Sequence, residues 1–181
     1  MLRRIRAAAA AALIASAALV ALPATAQANT LGTCALGSFG VTFTPGLGLG
    51  LPPNLPAINV GFIPSQSAPF TCELLNPAST EHAEITALSG TMNASCLFSN
   101  NVHWSMTIAW TDRSETSTVE LGAFILNITN VSKVVTLGGT VTSGRFTGQT
   151  LRLETVSQAN SLQCLTNSLT ETSGQALFEL T

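Results

Sequence analysis

Apolar and polar residues alternate with a period of two along much of the chain. In Val102-His103-Trp104-Ser105-Met106-Thr107-Ile108-Ala109-Trp110 every even position is apolar and every odd one polar or small. That pattern predicts a strand with one buried face. The polar turn Asp112-Arg113-Ser114-Glu115 follows, then a second strand over Ser117–Ile128. Its apolar phase runs through Val119, Leu121, Ala123 and Ile125 and switches at Phe124, Leu126 and Ile128. Such a switch predicts either a bulge at Gly122 or a strand buried on both faces.

Alternation resumes over Val134–Thr142, ends in the glycine-bounded turn Ser143–Gly148, and returns over Thr150–Val156 and Gln175–Thr181. Nearer the start, Phe39, Val41 and Phe43 alternate before Pro45-Gly46, and Ile58, Val60 and Phe62 before Pro64. Ala83–Cys96 reads as a weaker strand interrupted at Ser89-Gly90. About eight strands punctuated by turns predict an all-β domain, a single antiparallel β-sandwich of Ig-like or jelly-roll-like type. No convincing helical stripe runs through residues 29–181, and no linker or repeat divides them. A chain of ~150 residues buries about 70% of its unfolded surface in one core, so one domain suffices.

Residues 1–28 are read differently. Arg3, Arg4 and Arg6 precede an apolar run from Ala7 to Leu22, and Pro23 and the small-residue sites Ala24-Thr25-Ala26 and Ala26-Gln27-Ala28 follow. This is the layout of a cleaved secretory signal peptide. The run is short of the ~20 residues that span a bilayer, so no stable membrane insertion is expected once it is removed. Leu31-Gly32-Thr33-Cys34 is a poor lipobox, lying far past the apolar run with Thr where Gly or Ala belongs. The expected mature protein is secreted and extracellular, free or associated with the cell wall.

Composition sharpens that picture. The whole chain is 46% hydrophobic and 9% charged, with a formal net charge of −2. Without the signal, Arg113, Lys133, Arg145 and Arg152 face nine carboxylates, a net charge of −5. So few cations cannot form the basic stripe that nucleic acid requires, which excludes that partner.

Four cysteines, Cys34, Cys72, Cys96 and Cys164, form an even set in an exported chain and predict two disulfides. If successive strands reverse direction, Cys34 and Cys72 fall at one pole of the sheet and Cys96 and Cys164 at the other. That parity favours Cys34–Cys72 and Cys96–Cys164.

The search for chemistry yields little. The bases are His82 and His103, and no G-x-S-x-G elbow accompanies them. His103 sits on the polar phase of its strand. Glu81-His82-Ala83-Glu84 could present metal ligands on a turn, but lacks the several fixed ligands of a real centre. Glu73, Glu120, Glu154, Glu171 and Glu179 are spread singly, without the close pair of glycoside hydrolysis. They read as outer-face charges that protect strand edges. No catalytic residue, metal or cofactor is assigned.

Two apolar features are candidate contact surfaces. Trp104 and Trp110 share one strand face; exposed, they would stack on sugars or apolar ligands, and Met106 and Ile108 between them favour the core instead. The segment 45–56, with Leu47, Leu49, Leu51 and Leu55, either presents an apolar patch or folds back to close one end of the domain. Folding back is preferred. Asn93, Asn127 and Asn130 stand in glycosylation sequons, which matter only in a host with that machinery.

Further markers are Val41-Thr42-Phe43-Thr44-Pro45-Gly46-Leu47, Ala94-Ser95-Cys96, Thr107-Ile108-Ala109-Trp110, Ser117-Thr118-Val119, Gly139–Gly148 and Leu162-Gln163-Cys164. With the Ala-rich leader, they resemble the small secreted four-cysteine β-rich proteins of actinobacteria, which have no assigned activity. Asp112-Arg113-Ser114-Glu115 replaces the Asn-Gly or Asp-Gly of that pattern, implying a differently shaped hairpin turn. The resemblance implies no catalytic residues. The expected function is non-enzymatic: binding an extracellular protein or glycan, or a structural role. An inhibitor or small-ligand module using segment 45–56 or the Trp face is the alternative, and a hydrolase using scattered carboxylates and His82 is a weaker one.

Overall fold

The computed structural model describes residues 31–75, 78–112, 114–128, 132–158 and 168–181, apart from the side chains of Leu126, Ile128, Ser132, Lys133, Ser157 and Gln158. Residues 1–28, where a signal peptide is expected, and Cys164 lie outside them. The described residues form β1 (Gly32–Leu47), β2 (Ala57–Phe62), β3 (Phe70–Leu75), β4 (Ala78–Ala94), β5 (Ser99–Trp110), β6 (Glu115–Ile128), β7 (Ser132–Gly144), β8 (Thr150–Gln158) and β9 (Leu169–Leu180).

All pairings are antiparallel and run in the order β2-β1-β3-β4-β5-β6-β7-β8-β9, with β9 pairing back onto β1. β2 and β3 share one place in this circuit. β1 pairs with β3 through Gly32–Ala35 and with β2 through Val41–Thr44, while β4 flanks both on the other side. The break between them is a single 3-10 turn at Pro64–Gln66, bridged to β1 by mutual backbone bonds between Ser38 and Ala68. The ladder therefore closes on itself as a ring of pairings, which covers the unpaired edge groups that an open sheet exposes.

The expected all-β antiparallel domain is found. The described residues form nine strands where about eight are expected, linked in one continuous hydrogen-bonded sheet. Barrel and sandwich share the same inside-outside alternation, and alternation is all the sequence pattern encodes. The added strand is β3, where Phe70, Cys72 and Leu74 point inward. β4 runs unbroken through Ser89-Gly90, against expectation. Gly90 is there because a Cβ would stand 2.5 Å from Trp104 Cα and 2.3 Å from the His103 carbonyl oxygen. Glycine lets β4 and β5 approach closely around the Trp104 indole.

The interior is filled. Phe43, Ile58, Met92, Trp104 and Phe124 pack towards one end, and Phe70, Trp110, Leu151 and Phe178 towards the other. Phe70 meets Phe178 edge-on with centroids 5.0 Å apart, and Trp104 lies 5.3 Å from Phe124. Cys34 and Cys72 face each other directly across the β1–β3 ladder and are joined as a disulfide with no exposure. Cys96 is also disulfide-bonded; Cys164, its expected partner, lies outside the described residues.

Candidate functional site

The two ends of the ring are built from different residues. The first gathers the starts of β1, β4, β6 and β8 and the ends of β3, β5, β7 and β9. Here β7 turns into β8 through Arg145–Gly148. Gly144 opens the turn at φ 81°, with its α-carbon face pressed on the Thr116 carbonyl, so only glycine fits. Arg145 donates its backbone N–H to Thr116 O at 3.1 Å, and its side chain turns back into the ring.

The Arg145 guanidinium forms a two-pronged pair with the Glu81 carboxylate of β4: Nη1 with Oε2, and Nη2 with Oε1 at 3.0 Å. The Glu81 side chain is buried, at 4% exposure, and that of Arg145 is mostly covered, at 13%. The guanidinium lies 5.1 Å from the Trp110 ring and 4.6 Å from that of Phe146. Ser79 Oγ donates to Glu81 Oε1, Trp110 Nε1 donates to Ser117 Oγ, and Ser117 Oγ donates to the Arg145 carbonyl. A buried charge costs heavily unless it is paired and hydrogen-bonded; this one is both. The cluster closes the end and ties β4, β5, β6 and the β7–β8 turn together.

Outside it, His82 and Asp112 meet at 3.1 Å, both about half exposed. Asp112 also accepts the His82 backbone N–H at 2.6 Å, so the pair pins the β5–β6 turn to β4. The Glu81-His82-Ala83-Glu84 stretch therefore lies in β4, not on a turn. Glu81 points inward and His82 outward, which splits the imagined ligand set between two faces. Among the described residues no three His, Cys, Asp or Glu side chains are grouped to hold a metal ion. His103 is exposed on β5 opposite Thr91. Glu154 lies beside Arg152, and their side chains pair.

The second end is apolar, and its shape follows from Gly122. The β5–β6 ladder pairs Trp104–Trp110 with Glu115–Leu121 and stops there. Beyond it β6 continues along β7 with a register shift between Leu121 and Ala123, the bulge expected at Gly122. β5 continues along β4 instead. The two strands part, leaving a cleft of about 300 Å³ lined by Ser95, Leu97, Phe98, Ser99, Phe124, Ile125 and Asn127. Ser99 Oγ donates to the Phe124 carbonyl at 2.6 Å across its floor.

The β4–β5 turn supplies the rim. Ser95 Oγ accepts the N–H groups of Leu97 and Phe98 at 3.3 and 3.2 Å, and Ser95 N–H bonds to Phe98 O. The backbone being satisfied by this small loop, the Leu97 and Phe98 side chains are turned outward. The chain leaving β1 lies alongside: Cys96 N–H donates to Gly48 O at 2.9 Å, and a Cβ on Gly50 would touch Ser95. Leu49, Leu51, Leu97, Phe98 and Ile125 are 52%, 64%, 59%, 44% and 55% exposed, so they form one apolar rim.

Segment 45–56 thus does both things considered for it: Leu47 and Leu55 fold into the body, while Leu49 and Leu51 stay exposed. Trp104 and Trp110 are each 1% exposed. They belong to the core and offer no stacking platform, because Gly90 and Arg145 close over them. Sequence reasoning missed Leu97, Phe98 and Ile125; the signal for the first two was the polar pair Ser95 and Ser99 bracketing Cys96, Leu97 and Phe98 in a turn. No family model, no curated protein and no solved structure matches the chain.

Proposed function

We propose that this chain is an exported, non-catalytic binding module that engages its partner through the apolar rim. The observation that carries this reading is the rim itself. Five large apolar side chains on two turns and one strand stay in solvent while the core behind them is filled. Contiguous exposed apolar surface of this kind marks an interaction site in most proteins.

Two further features support it. A buried disulfide between Cys34 and Cys72 suits an oxidising compartment, in keeping with the signal-like leader and with the resemblance to secreted four-cysteine actinobacterial proteins. The side chains best suited to acid–base work are committed elsewhere: Glu81 to Arg145, and Asp112 to the backbone and ring of His82. A tag beyond Thr181 would leave the rim free, since Thr181 pairs with Thr150 at the opposite end. Mature protein held by such a tag should retain a defined component of a cell-envelope extract. A Leu49→Ser/Leu51→Ser/Leu97→Ser/Phe98→Ser variant should lose it, and equal recovery by both would remove the rim from the proposal.

A further inference from the structure

We propose that the rim docks on the surface of a lipid bilayer, as a reversible interfacial contact in which Leu49, Leu51, Leu97 and Phe98 enter the outermost apolar layer. The inference rests on the binding-module reading and names its partner.

The first argument is charge. The stretches 45–57, 92–101 and 122–128, which build the rim end, contain neither a carboxylate nor a cation. All nine carboxylates of the chain lie elsewhere in the sequence, and Glu171 stands opposite Thr42 on the ring wall. Entering a lipid interface therefore desolvates no acid, whereas the other end carries Glu81, Asp112, Glu115 and Glu179. A bilayer is the environment in which that segregation matters most, because ionised groups near its apolar layer cost far more than Ser or Asn.

The second argument is area. An aromatic side chain offers about 150–250 Å², so five apolar side chains about half exposed offer roughly 500 Å². That falls short of the ~800 Å² per partner of a stable protein interface, which disfavours a second copy of the chain. A fluid lipid surface needs no matching shape and accepts protruding turns. Nothing lies within 4 Å of the place a Cβ on Gly48 would take, so the turn carrying Leu49 and Leu51 has room to adjust.

The test is sedimentation of the mature, disulfide-intact protein with phosphatidylcholine vesicles, and with vesicles containing phosphatidylglycerol. Binding to the neutral vesicles should be insensitive to salt. Binding to the anionic ones should be weaker at low salt, given the net charge of −5, and recover as salt screens the repulsion. Leu49→Ser/Leu51→Ser and Leu97→Ser/Phe98→Ser should each lower the partition coefficient by about tenfold or more. A Leu51→Trp variant should shift its emission to the blue on vesicle addition, against a constant background from buried Trp104 and Trp110. No sedimentation, or equal sedimentation of the serine variants, overturns the proposal. So does a concentration-dependent dimer that the same substitutions dissolve while vesicle binding is absent. Rim-dependent capture of an envelope protein or glycan by a chain that ignores vesicles overturns the lipid assignment and leaves the binding-module reading standing.

Discussion

The two ends of the ring solve opposite problems with the same backbone. At one, Arg145 folds back from a glycine-opened turn, and its charge is met by Glu81 and covered by Trp110 and Phe146. The Cys34–Cys72 bridge ties the same end of β1 to β3. At the other end a bulge parts β5 from β6, and the side chains around the opening are uncharged, with Leu97, Phe98 and Ile125 in water beside Ser95, Ser99 and Asn127. Polar groups have been placed where they close the structure, and apolar ones where they remain open to contact. The contrast teaches that the closed end carries stability and the open end is spared that duty.

The closed end is the place to break the molecule. Cys34 and Cys72 are separated by 38 residues in sequence, and removing a crosslink over such a loop costs about 4 kcal/mol in the chain-entropy view. Cys34→Ala/Cys72→Ala should show that loss as a lower urea midpoint with a somewhat steeper slope, since the uncrosslinked denatured chain exposes more surface. Glu81→Ala should come next. It leaves the Arg145 guanidinium with the half-exposed Glu115 carboxylate, 3.7 Å from Nε, in place of its two-pronged partner, and breaking a buried pair costs about 3 kcal/mol. The double variant Glu81→Leu/Arg145→Leu should recover part of that loss, since it leaves no unpaired charge. A double variant weaker than the single one would mean that the cation over Trp110, rather than charge pairing, closes this end.

How much of this contrast the sequence discloses depends on the range of the interactions. β5 and β7 are legible because their alternation is local, and the Gly122 bulge because it leaves a phase switch between Leu121 and Phe124. β3 was overlooked: six residues between two turns give only Phe70, Cys72 and Leu74 as apolar beats. The Cys34–Cys72 bridge follows from pole parity, which survives the added strand because β2 and β3 run in the same direction, both antiparallel to β1, so β3 adds no reversal. The Glu81–Arg145 pair is different. Its members are 64 residues apart, and a carboxylate normally reads as an outer-face charge. The one local clue was that Glu81 shares its phase with Ala83 and Ile85, the inward side of β4. The rim was half legible. Leucines in segment 45–56 stand out, but whether each folds in or out is set by the Gly48–Cys96 and Gly50–Ser95 contacts, which join residues remote in sequence.

The smallest expected effect is the sharpest test of the contrast. Leu97→Ser/Phe98→Ser removes two large apolar side chains, a change that would cost several kcal/mol inside a core. In this turn the backbone is held by Ser95 Oγ and by the Ser95–Phe98 backbone bond, and both side chains are already about half in water. Stability should stay within about 0.5 kcal/mol of the parent, as for surface positions generally. A melt or urea titration showing a loss of about 2 kcal/mol or more would place Leu97 and Phe98 in the packing of the open end, and the division of labour between the two ends would fall with it. Unchanged stability together with lost binding would tie the rim to contact alone, because a side chain that contributes nothing to folding yet is needed for binding acts only at the interface.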